Sequence, residues 1–126
     1  MAKFIYQKTL KDIYIDHFIH HNPKTDLTSV HTHNEFELIY ILSGNLTYVI
    51  EDRKYKLKKH DLVIIKPNNY HYIQCDSPED YERYDMLFSS NNKAINNIDL
   101  LPEKLEVLNC IDKPIITDLF KKIDFY

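Results

Sequence analysis

At 126 residues, 44% hydrophobic and 28% charged, the chain has the size and composition of one globular domain with a real core, and is too short for two ordinary ones. A formal net charge of −3 argues against a surface that grips nucleic acid by itself, and no apolar run approaches the ~20 residues that span a membrane. Met1-Ala2-Lys3-Phe4 lacks the apolar stretch of a secretory leader, and the two cysteines, Cys75 and Cys110, have no metal-type spacing, which points to a reducing cytoplasm.

Residues 1 to about 90 read as β-structure. Ile13, Ile15 and Phe18 mark a first strand over 12–21, broken by Asn22-Pro23. Residues 35–42, Glu-Phe-Glu-Leu-Ile-Tyr-Ile-Leu, have the apolar density of a strand covered on both faces. Ser43-Gly44-Asn45 reads as a hairpin turn into a return strand over 46–51, in which Leu46, Tyr48 and Ile50 share a face. After a turn at Asp52-Arg53, residues 54–58 alternate Tyr55 and Leu57 against Lys54, Lys56 and Lys58, which makes the basic run there the wet side of a hairpin. Further strands are expected over 61–65, 71–75 and 81–88, separated by Lys66-Pro67-Asn68-Asn69 and Ser77-Pro78-Glu79-Asp80. Short strands at this spacing indicate a sandwich or barrel. Gly44 is the only glycine, so Asn and Asp are expected to turn the corners.

The pattern changes near Ser89. Leu101, Leu105 and Leu108 follow helical spacing behind Pro102, and a second helical stretch opens at Asp112 and Pro114 with Ile115, Ile116, Leu119, Phe120 and Ile123. The chain therefore divides into a β-barrel over 1–90 and a helical segment over 91–126, whose apolar side runs into Phe125-Tyr126. Such an ending suits a surface meant for a partner, or a chain cut from a longer protein.

His31, His33 and Glu37, answered by His71, are the ligand types that borderline divalent ions such as Zn, Ni, Mn or Fe prefer. Positions 31, 33 and 37 share parity, so one strand would aim all three the same way, as no helix could. Tyr40, Tyr48, Tyr55, Tyr70 and Tyr72 either line a pocket or serve as core aromatics, and Tyr48 is the one taken as a ligand contact. His17, His20, His21 and His60 have no spacing that joins the cluster and are expected at the surface or in turns. Cys75 and Cys110 are expected to be buried, inert thiols. No nucleophile elbow, phosphate loop or dinucleotide fingerprint is present.

His31-x-His33-x3-Glu37-x6-Gly44 resembles the first signature of the cupin superfamily, and Asp61-Leu62-Val63-Ile64-Ile65-Lys66-Pro67-Asn68-Asn69-Tyr70-His71 resembles its second. The chain departs from that pattern where glycines are usual, with His60 before the Asp, Asn69 after the Pro, and Thr25 ahead of the first His. The wording is most similar to the N-terminal sensing domain of AraC-type transcription regulators. The resemblance implies a mainly β fold, a double-stranded β-helix or jelly-roll barrel followed by C-terminal α-helices. It also implies a small-molecule effector in the barrel, a sugar being one candidate, and a homodimer through the helices. DNA would be bound only by a helix-turn-helix domain absent from this chain. Regulator-type cupins often keep the ligand motif without metal, so His31, His33, Glu37 and His71 are candidates for metal or effector alike. The rival reading is a free-standing metal-dependent cupin enzyme, a dioxygenase or isomerase; a plain carbohydrate-binding module is a third.

Overall fold

Alternating burial governs this molecule. In the computed structural model, which describes residues 2–23, 30–89 and 105–125, nine strands form two sheets. The larger sheet has the order β1 (Ala2–Thr9), β2 (Ile13–His20), β8 (Tyr81–Phe88), β3 (Phe36–Ser43), β6 (Asp61–Ile65), β9 (Val107–Asn109); the smaller has β5 (Arg53–Lys56), β4 (Leu46–Ile50), β7 (His71–Cys75). Every pairing is antiparallel. The inner faces meet in one apolar cluster: Ile39, Ile41, Val63, Ile65 and Tyr81 from the large sheet, and Leu46, Tyr48, Ile50 and Cys75 from the small one.

The outer face of the large sheet is covered too. Ile15, Tyr40, Leu62, Ile64 and Tyr84 pack under Phe120 of helix α1 (Pro114–Lys121) and Ile123 of a short 3-10 helix (Lys122–Phe125). This explains why 35–42 reads as apolar throughout: even positions of β3 face the helix and odd positions face the barrel. Pro114 sits in the first turn of α1, where its missing N–H costs nothing.

Several expectations need correction. Ser43-Gly44-Asn45 does not close a hairpin: β3 and β4 lie in different sheets, so the turn carries the chain across the barrel. Leu108, expected on a helix, is in β9, which extends the large sheet beside β6. Three residues are too few for hydrophobic period to separate strand from helix. Leu101, Pro102, the polar run at 90–92 and the boundary at 90/91 lie outside the described residues. Asn turns only part of the corners: the left-handed positions are Asn22, Asn68, Glu51 and His60, with Gly44 at φ +132. His60 adopts φ 74 where related motifs place glycine, and its Nδ1 lies 2.7 Å from the Tyr40 hydroxyl.

Candidate functional site

The four motif residues converge, though not from one strand. Glu37 is on β3 and His71 on β7, while His31 joins His71 only by an isolated two-bond bridge and His33 lies in the approach to β3. Shared parity on one strand is therefore not what aims them; the crossing of the chain between the two sheets is. One donor atom from each of His31, His33, Glu37 and His71 lies within 4.8 Å of the others. Donors on one ion with bonds of ~2.1 Å lie at most ~4.2 Å apart, so a small closure would seat a metal.

The second layer of contacts orients these rings. His33 Nδ1 lies 3.1 Å from the Glu35 carbonyl and His71 Nδ1 lies 2.8 Å from the Asn69 carbonyl. A carbonyl only accepts, so each Nδ1 is the donor, and each Nε2 is turned toward Glu37. Both Nε2 atoms are 3.3 Å from Glu37 Oε1. For His33 that contact is a hydrogen bond. His71 Nε2, in a side chain with no exposed surface, sits off the line a hydrogen bond needs and has no partner. A buried nitrogen left this way is what an inner ligand or ion would complete.

The charges fit the same picture. Burial alone would push the Glu37 carboxyl up, but the hydrogen bond from His33 and the close approach of His71 hold it well below the usual carboxylate range. The hydrogen bond to Glu37 raises His33 above its ordinary value, against desolvation. Tyr48 stacks on His71, with centroids 6.4 Å apart, and burial keeps its phenol protonated. Tyr48 is thus both a core residue and a wall of the site. Tyr40 faces the helix side instead, bonded to His60 and Thr117, and Tyr70 is exposed.

A second polar group lies inside the barrel, unread from the sequence. Asp16 on β2 and Asp85 on β8 stand directly opposite one another. Arg83 Nη1 bridges them, at 2.8 Å to Asp16 Oδ1 and 3.1 Å to Asp85 Oδ2, and its guanidinium lies over the Phe18 ring. Tyr14 donates to Asp16 Oδ2 at 2.8 Å. Asp85 Oδ1 is buried without a hydrogen-bond partner, and burial, then the neighbouring charge of Glu37, drives the Asp85 carboxyl well above its ordinary value. The signal was present in the inward positions 81, 83 and 85, but Tyr81-Glu82-Arg83-Tyr84-Asp85 is polar at both parities, so alternation could not sort it.

His17 was misread as well. It is buried on the outer face of β2, between Glu82 and Asp124. The basic hairpin matches expectation, with Lys54 and Lys56 exposed on β5, and both cysteines are buried free thiols.

Comparison with known proteins settles the family. The profile of the AraC-like ligand binding domain matches residues 14–92, more than half of the chain. The chain belongs to that family. Among curated proteins, the HTH-type transcriptional activator RhaR of Escherichia coli (strain K12) is 30% identical over 82 residues, which cover 65% of this chain and 24% of that protein. RhaR of Shigella flexneri serotype 5b aligns with the same figures. The match thus spans about a quarter of the length of these relatives. Among solved structures, AerE from Microcystis aeruginosa superposes with TM-score 0.67 at 18% identity, over 85% of this chain and 46% of that one. The Schizosaccharomyces pombe Cnp3 cupin domain gives 0.62 at 17%, over 78% and 66%. A cupin with a double-stranded β-helix fold from Methanocaldococcus jannaschii gives 0.61 at 18%, over 71% and 81%. The fold is therefore the cupin barrel, and the chain is a cupin-fold sensing domain of AraC type.

Proposed function

We propose that the barrel takes up a small-molecule effector and passes its occupancy to a helix-turn-helix domain lying beyond this segment, within a cytoplasmic, homodimeric regulator. The observation that carries this reading is a buried polar cluster, Glu37 with His71, Asp85, Asp16 and Arg83, in which His71 Nε2 and Asp85 Oδ1 have no well-aligned hydrogen bond. Buried polar groups left open in this way are costly unless a ligand completes them. Glu37 and Asp16 stand beside the Arg83 guanidinium, and Asp85, its carboxyl pushed well up by burial, can donate as well as accept, so the lining suits a neutral, hydroxyl-rich molecule; a sugar has that chemistry. A divalent ion such as Zn, Ni, Mn or Fe on His31, His33, Glu37 and His71 would serve the same site as part of the effector contact.

A second reading has its own support. The Nε2 orientation of His33 and His71 is that of metal ligands held by backbone carbonyls, which also suits a metal-dependent cupin enzyme. Calorimetric titration with neutral sugars, with sugar acids and with each metal separates the cases. The regulator reading expects saturable binding of a neutral polyol, weakened at least about tenfold by Asp85→Asn, which keeps the side chain's shape and an oxygen for Arg83. Loss of fold stability without loss of binding contradicts it. For the metal, elemental analysis of untagged protein should give one ion per chain, falling on His33→Ala; sub-stoichiometric metal insensitive to that change ends the metal reading. Turnover of a bound polyol would decide for the enzyme.

A further inference from the structure

The strands that carry the inner polar group also hold the C-terminal helix, through the residues next in sequence. On β2, Asp16 points into the barrel and His17 points out. On β8, Arg83 points in, flanked by Glu82 and Tyr84 pointing out. Outside, His17 Nδ1 lies 2.7 Å from Asp124 Oδ1 and Nε2 lies 2.6 Å from Glu82 Oε2. Tyr84, paired with His17 across the ladder and packed on its ring at 4.3 Å, donates to the other Asp124 oxygen at 3.0 Å. Asp124 belongs to the 3-10 helix that ends the described chain.

We propose that His17 and Asp124 form a latch that couples the Asp16–Arg83–Asp85 group inside the barrel to the docking of helix α1 and the 3-10 helix outside it. The claim rests on the reading of the barrel as a sensor, for which it names the output. Arg83 ties β2 to β8 from the inside through Asp16, and His17 ties the same strands from the outside through Glu82 and Tyr84. A group entering the barrel that draws Arg83 away from Asp16 changes the set of β2 against β8. That moves His17 relative to Tyr84, and Asp124 needs both. His17 and Asp124 act here as positioning residues: neither touches the interior.

The test requires no effector, so a failure to find one leaves it intact. Hydrogen exchange of the amides of residues 115–125 is measured in the wild-type chain, in His17→Gln, in Asp124→Asn, in Asp16→Asn, and in Asp16→Asn combined with Asp124→Asn. Asp124→Asn and His17→Gln should each speed exchange in 115–125 by about tenfold or more while β3 and β6 keep their protection. Asp16→Asn should speed the same amides in the wild type and add little once Asp124 is Asn, because the route is already broken. Asp124→Glu should restore protection in part. Unchanged helix exchange in Asp124→Asn overturns the latch. Fully additive effects of Asp16→Asn and Asp124→Asn overturn the coupling. If His17→Gln does not fold, Asp124→Asn, on a partly exposed side chain, carries the same decision.

Discussion

Single residues in this protein are legible by the partners they keep. Glu106 is buried just ahead of β9, and it accepts from Arg53 Nε at 2.6 Å, Arg53 Nη2 at 2.8 Å and the Tyr55 hydroxyl. This clamp ties the end of the large sheet to β5 of the small one. Burial alone would raise the Glu106 carboxyl, but the Arg53 and Tyr55 hydrogen bonds outweigh it, so its folded pKa lies below the ordinary 4.5. A carboxyl depressed on folding stabilises the native state above its unfolded pKa, and that contribution is lost as pH falls through the folded value. Glu106→Gln should therefore cost about 1.5–3 kcal/mol at pH 7. In urea titrations across pH, the gap between variant and wild type should narrow below pH 4.5; a gap independent of pH contradicts the assignment. Nothing in the sequence marked Glu106, since its partners lie some fifty residues away. His31, His33, Glu37 and His71 were legible because their chemistry and spacing are rare together. Asp16, Arg83 and Asp85 were not, because ordinary charged residues announce burial only once a second sheet covers them.

At the scale of elements, periodicity and turn residues placed the strands between residues 13 and 88, but missed β1 over Ala2–Thr9 and misread the three-residue β9. Strands β6, β7 and β8 fall where alternation and turn residues place them. β9, where the spacing predicted a helix, shows the limit: Leu105 and Leu108 do pack in the cluster under α1, yet Leu108 does so from a strand. The turn at Gly44 was correctly placed and wrongly interpreted, since a turn signal does not say which sheet the next strand joins. Its glycine is required twice over. The backbone sits at φ +132, and a Cβ there would meet the Leu46 side chain at 3.1 Å. Gly44→Ala should destabilise by more than about 1 kcal/mol in chemical denaturation. A neutral result would mean that the crossing between sheets is more tolerant than its geometry indicates.

For the whole molecule, α1 divides its apolar residues between two faces. Phe120 and Ile116 pack on the barrel, whereas Ile115 and Leu119 are 74% and 59% exposed, with Ile111 and Phe125 exposed nearby. A two-fold dimer through this face is the expected assembly, because a self-complementary apolar patch is buried most simply against its own copy. Sedimentation at micromolar concentration should report a dimer, and Ile115→Lys with Leu119→Lys should shift it to monomer without lowering helix content. A monomer at every accessible concentration rules this interface out.

Composition, alternation and turn residues were enough to indicate a β-sandwich or barrel, and the resemblance of the motifs around His31, His33, Glu37 and His71 to the cupin signatures placed it among the AraC-type sensing domains. Those features are local or nearly so: side-chain period is set by backbone geometry, and ligand type is set by chemistry. Tertiary structure alone decided which strands share a sheet, which face of β2 and β8 looks inward, and which carboxyls lose their water. Those outcomes depend on pairings between residues far apart in the chain, such as Asp16 with Arg83 and His17 with Asp124. No period or motif encodes them, because each partner becomes meaningful only when folding removes the solvent between them.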